Sequence, residues 1–156
     1  MATPAQHIAP GSAEPDAADL QARFRAVRAT SETLAAPLSA EDACVQSMAD
    51  ASPAKWHLAH VTWFFETFVL ERAERDFRPH HAAFRELYNS YYNGIGKQFP
   101  RPQRGLVTRP SLAEVLAYRA AVDARVLALL DTTHDAALHA TVELGLHHEQ
   151  QHQELL

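Results

Sequence analysis

Thiols are almost missing from the 156-residue chain. Its one cysteine, Cys44, cannot form an internal disulfide or close a thiolate-ligated structural zinc site. Basic residues are few, 14 against 19 acidic ones, for a formal net charge of −5. That balance argues against general nucleic-acid binding, which neutralises phosphates with clustered Lys and Arg. Long apolar runs are also lacking: the longest, Val61 to Leu70, is broken by Thr62, Glu66 and Thr67 and is too short to span a bilayer. The chain opens with no apolar signal core, so the expected setting is reducing and cytoplasmic, without membrane contact. No internal repeat is visible. The length and the 47% apolar content suit one globular domain with its own core.

What the chain has is helical periodicity. Residues 1–15 read as a flexible lead, with Pro4, Pro10 and Pro15 among small residues. From Asp16 as N-cap, Leu20, Phe24, Val27 and Leu34 recur at helical spacing until Pro37. After a connecting stretch, Ser52-Pro53 reads as an N-cap followed by a first-turn proline. The helix it opens runs to about Arg72, with Trp56, His60, Trp63, Thr67 and Leu70 on one stripe and Phe64 and Phe68 beside it. Residues 73–110 read as mostly irregular, with a short helix possible from Phe84 to Tyr92 and with Pro100, Pro102 and Pro110 as stops. Arg101, Arg104 and Arg109 make this crossover a basic strip on an acidic chain. Ser111 with Glu114 forms a capping box ahead of a third long helix, whose buried face reads as Leu112, Val115, Leu116, Val122, Val126 and Leu129. A last helix starts near Asp135 and is expected to be still running at Leu156, with Leu138, Val142, Gly145, His148, His152 and Leu155 on one stripe. The expected fold is all-α: a four-helix bundle with a long irregular crossover between its second and third main helices.

The other excess is histidine, with ten in all; His57 and His60 fall in one short window, and His147, His148 and His152 in another. His148 and His152, four apart on a helix, can reach one metal ion from one face. Alone this spacing is weak, because ten histidines make such pairs common by chance. It gains weight because the pair continues an apolar stripe, with Gly145 leaving room one turn earlier. The third ligand comes from the Ser52 helix, where His60 lies between Trp56 and Trp63 and His57 is the alternative. Three neutral nitrogens would leave coordination positions open, which suits Fe(II) if oxygen is activated and zinc if water is. His147, His80 and His81 read as solvent-facing. Two further motifs overlap these residues. His148-Glu149-Gln150-Gln151-His152 matches H-E-x-x-H with Glu149 as general base, but too few residues remain after it to supply the usual third ligand. Glu149 to His152 also matches one E-x-x-H of a di-iron bundle, yet no second copy is present.

Three runs, SPAKWHLAHVTWFFETFVL (Ser52 to Leu70), YNSYYNGIGKQFPRPQRGLVTRPSLAEVLAYR (Tyr88 to Arg119) and LGLHHEQQHQELL (Leu144 to Leu156), together resemble the amino-terminal, DinB-like four-helix domain of the EgtB-type ergothioneine sulfoxide synthases. The resemblance implies a mononuclear non-haem Fe(II) held by His60, His148 and His152, and an O2-dependent reaction joining γ-glutamylcysteine or cysteine to Nα-trimethylhistidine (hercynine). It places Gln151 against hercynine and Arg101 against a substrate carboxylate. It also implies a carboxy-terminal domain resembling formylglycine-generating enzymes, in the same chain or a separate one. That domain would supply the catalytic tyrosine, so the present chain reads as cut before it. No catalytic residue is assigned within residues 16–156. A zinc-dependent DinB-like thiol transferase and a non-catalytic helical interaction module are the rival readings. On the oxygenase reading, His57→Ala should leave metal binding largely intact and Glu149→Gln should be tolerated.

Overall fold

The computed structural model describes residues 17–156, so the expected lead and the expected Asp16 cap lie outside the described residues. Among the described residues there are six α-helices, in chain order α1 (Ala17–Ala35), α2 (Ala54–Phe65), α3 (Glu71–Ala73), α4 (Phe84–Leu87), α5 (Leu112–Leu130) and α6 (Ala136–Gln153). A π-helical turn, Glu66–Leu70, joins α2 to α3 without a break, and there is no strand among the described residues. α1 packs on α6, and α2 packs on both α5 and α6, which makes a four-helix bundle with α2 innermost. Every α2 residue from Lys55 to Phe65 is buried. No helix among the described residues is long and apolar enough to cross a membrane.

The helix ends obey their caps, with one exception. Ser111 accepts from the Glu114 backbone N–H while the Glu114 carboxylate accepts from Ser111 N–H, completing the capping box of α5. The Asp135 side chain caps α6 by accepting from the N–H groups of Ala137 and Leu138. Ser52, however, does not cap α2. Pro53, in extended conformation, holds that position, and the Ser52 hydroxyl instead accepts from Arg104 Nη1 at 2.9 Å. The α6 helix closes at Gln153 rather than running on, its last turn tightened by Leu155 N–H donating to the His152 carbonyl. Within the crossover, Pro100 and Pro102 start a 3₁₀ turn, Arg101–Leu106, instead of only stopping structure. Proline's missing N–H costs nothing in such a first turn.

Polar residues occupy positions that an apolar reading of the stripes misses. On α1 the buried stripe runs Leu20, Phe24, Arg28 and Ser31, whereas Leu34 is 48% exposed. On α5 the buried face includes Tyr118 and Arg119, and Leu116 lies outside it. On α6 Glu149 is buried, while Leu155 is exposed. These polar side chains meet. Arg28 donates to Glu149 Oε2 (2.8 Å), Asp123 (2.7 Å) and Thr62 (2.9 Å), while Arg119 Nη2 and the Ser31 hydroxyl donate to Glu149 Oε1 at 3.0 and 2.6 Å. Burial pushes the Glu149 carboxyl up, but Arg28 and Arg119 outweigh it and hold the group below its ordinary range. Glu149 thus ties α6 to α1 and α5 as an anion, so Glu149→Gln is expected to be costly to the fold, in place of the tolerance expected from the sequence. Fully buried and paired with two arginines, this carboxylate is also unavailable as a general base.

Gly145 is a close approach. A Cβ there would lie 2.5 Å from the Phe65 ring and 3.0 Å from the Phe64 ring. The space is therefore filled by α2 aromatics, which press α6 onto α2 one turn before His148.

Candidate metal centre

Two helices build the site. α2 presents His57 and His60 one after the other, and α6 presents His148 and His152 one turn apart. Nitrogens of His60, His148 and His152 lie within 4.8 Å of one another, the only such group of metal-ligating side chains among the described residues. No carboxylate joins the group, so no di-iron carboxylate site is present there, and Glu149, the general base of the H-E-x-x-H reading, is instead engaged by Arg28, Arg119 and Ser31.

The orientation of His60 is fixed on all sides. Its ring is stacked between Trp56 (centroids 4.6 Å, 13°) and Trp63 (5.7 Å, 16°). Its Nδ1 lies 2.6 Å from the Tyr88 carbonyl, which can only accept, so the proton is on Nδ1 and Nε2 is bare. That bare nitrogen lies 3.2 Å from His148 Nε2, while His148 Nδ1 is buried without a protein partner. A buried imidazole with one nitrogen unpartnered and the other turned to a neighbour's lone pair is costly without a proton or cation between them. Two nitrogens 3.2 Å apart, each about 2.1 Å from an ion, subtend roughly 100°, between the octahedral and tetrahedral angles. The donor set therefore fits a divalent transition metal.

The electrostatics agree. Burial pushes His148 down to about 4, and burial with the neighbouring His148 and His57 pushes His152 down to about 3. Burial, then His152 and His148, holds His60 well below the usual imidazole range. All three are neutral near pH 7, which leaves nitrogen lone pairs available for an ion.

The imidazoles sit at one side of a cavity of about 480 Å³, whose lining includes Ser52, Tyr91, Arg101, Arg104 and Gln151. The structure therefore brings all five predicted site residues together. Arg101 is half-buried at the wall, donating to the Asp50 carbonyl (3.3 Å) and to the Tyr91 hydroxyl. Gln151 is exposed at the rim. His147, His80 and His81 are exposed, as expected, and Leu155 stands at the mouth instead of in the core.

The spacing pattern understates two residues. Arg104 stands out in the sequence only as part of the basic strip. It is 4% exposed, its guanidinium lies 3.5 Å above the Trp56 ring, and it donates to Ser52 and to Ser90 (3.0 Å). Its Nε has no partner, and burial with the nearby Arg101 pushes it down to about 10, still cationic at neutral pH. Tyr91, at φ 64°, holds a left-handed conformation unusual for an aromatic residue and stands beside Arg101. The cavity thus combines four neutral imidazoles, His57 among them, with two cationic guanidinium groups, an arrangement able to hold a cation and an anionic ligand side by side.

No curated protein matches the sequence. The sequence profile described as the DinB superfamily matches residues 23–156, from within α1 through both histidine-bearing helices to the last residue. This match and the helical bundle agree, and the chain belongs to the DinB superfamily.

Proposed function

We propose that this chain is the metal-bearing domain of an EgtB-type sulfoxide synthase, with His60, His148 and His152 holding a single Fe(II). The carrying observation is the convergence of three neutral imidazoles beside two arginines in one cavity. When bound, ferrous ion supplies an open coordination face and the electron transfer needed to use O2. In the reaction proposed, the thiol of γ-glutamylcysteine or cysteine loses S–H and the hercynine imidazole carbon loses C–H. One oxygen atom ends on the sulfur as a sulfoxide, and the other leaves as water with the two hydrogens.

The chain's own residues bind and orient. Arg101 and Arg104 offer guanidinium N–H groups to a carboxylate of the thiol substrate, in a setting where burial strengthens the attraction. Gln151 offers an amide at the rim for hercynine. The stacked tryptophans shield His60 from water and keep its Nε2 turned to the shared centre. A second domain, in the same chain or a separate one, completes the site and supplies the catalytic tyrosine that the family resemblance implies.

The test is anaerobic loading with Fe(II) or Zn(II), and then oxygen uptake with thiol and hercynine in the presence of the second domain. One Fe(II) per chain and thiol-dependent oxygen uptake are expected, both lost in His148→Ala and His152→Ala. Tightly held zinc without oxygen uptake would favour the thiol transferase. Unchanged thermal unfolding with either metal would leave only a packing role, because an ion bound to the native state alone must stabilise it, by about 2.7 kcal/mol at a hundredfold excess over Kd.

A further inference from the structure

The fourth histidine of the cluster has no role in the metal set, yet it is neither solvent-facing nor a bystander. His57 is 6% exposed, sits edge-on to Trp56 (5.6 Å, 82°), and its Nδ1 lies 2.7 Å from Nδ1 of His152. That separation is a hydrogen bond, so one proton lies between the two nitrogens. His152 can offer Nε2 as a ligand only when its own proton is on Nδ1. His57 must then be the acceptor. The same logic already holds for His60, whose Nδ1–H donates to the Tyr88 carbonyl and leaves Nε2 bare. Metal-binding imidazoles generally need such an anchor for the second nitrogen, and here a neighbouring imidazole can provide it.

We propose that His57 is a positioning residue: its Nδ1 accepts from His152 Nδ1–H and locks His152 in the tautomer that offers Nε2 to the metal. The inference rests on the metal-centre reading above. It requires an acceptor at position 57 rather than an imidazole as such. His57→Asn keeps an amide oxygen near the place of Nδ1, whereas His57→Phe keeps a planar ring against Trp56 and removes the acceptor.

The probe is Co(II), titrated into the full chain and read from its visible absorption, with ring ¹⁵N NMR of His152 in the metal-free protein. Co(II) affinity should fall about 10- to 100-fold in His57→Phe, the usual effect of removing such an anchor, which replaces the expectation from the motif alone that losing this imidazole leaves metal binding largely intact. His57→Asn should recover most of that loss. In the NMR spectra, His152 should be the Nδ1–H tautomer in wild type and His57→Asn and a mixture in His57→Phe. Wild-type affinity in His57→Phe, or equal loss in the Asn and Phe variants, would overturn the proposal. So would a loss in His57→Phe as complete as in His152→Ala, which would make His57 itself a ligand. A wild-type chain that takes up no Co(II) would instead overturn the metal-centre reading, while the tautomer of His152 could still be read.

Discussion

Replacing Glu149 by Gln changes one oxygen to an amide nitrogen inside the most charged part of the interior. Glu149 is 0% exposed, as is Arg119, and Arg28 is 3% exposed. The carboxylate accepts from Ser31, Arg28 and Arg119 at 2.6, 2.8 and 3.0 Å. In the variant, one amide N–H points at a guanidinium that is itself only a donor. Removing one partner of a buried ion pair costs about 3–5 kcal/mol. Asp123, 2.7 Å from Arg28 Nε, and Glu32, 3.6 Å from Arg119 Nε, retain part of the compensation, so about 3 kcal/mol is expected. Domains of this size have about 5–15 kcal/mol in total and lose roughly 2–4 °C of Tm per kcal/mol, so Tm should fall by about 6–12 °C. Urea unfolding monitored by far-ultraviolet circular dichroism measures the change directly. An unfolding free energy within about 1 kcal/mol of wild type would refute the reasoning. A zinc protease would show the opposite pattern, a stable variant that has lost only hydrolysis.

The packing leads to three further outcomes. Gly145→Ala should lower stability by about 1–3 kcal/mol in thermal unfolding, because its methyl group would meet the Phe65 ring at 2.5 Å. Arg104→Ala should speed chymotryptic cleavage after Tyr91, which is 74% exposed, because it removes the links to Ser52, Ser90 and Trp56 that hold this loop. Ser111→Ala should cost about 1 kcal/mol at pH 7 through loss of the cap. The Ser111 backbone N–H, then its hydroxyl, hold the Glu114 carboxyl below its ordinary 4.5. That contribution is complete above pH 4.5 and is lost as pH falls through the lowered value. The variant keeps the backbone N–H and loses only the hydroxyl's share, so the gap between wild type and variant should narrow in acid urea melts without closing, because the Glu114 N–H to Ser111 Oγ bond does not titrate.

The helices and the imidazole pairing were legible because both arise from short-range spacing. The Ser111 cap, the start of the last helix near Asp135 and the four-residue step from His148 to His152 need only local geometry. What escaped depends on tertiary placement. Arg28, Arg119 and Glu149 look like surface charges one at a time, and only the closed bundle makes them mutual partners. The choice between His57 and His60 could not be read from the motif, since both rings reach the cluster and differ in which nitrogen meets which neighbour. Ser52 lost its capping role to Arg104, which lies 52 positions away.

The π turn at Glu66–Leu70 divides the central helix into two phases. Winding the same five residues as ordinary α-helix would add about one residue's 100° of rotation, turning the end of this segment, with the buried Val69 and Leu70, off the core. The preceding segment, with His57 and His60, would keep its orientation. The wider turn therefore acts as an angular spacer, letting one continuous rod aim His57 and His60 at the histidine cluster while Val69 and Leu70 still face the scaffold that supports it.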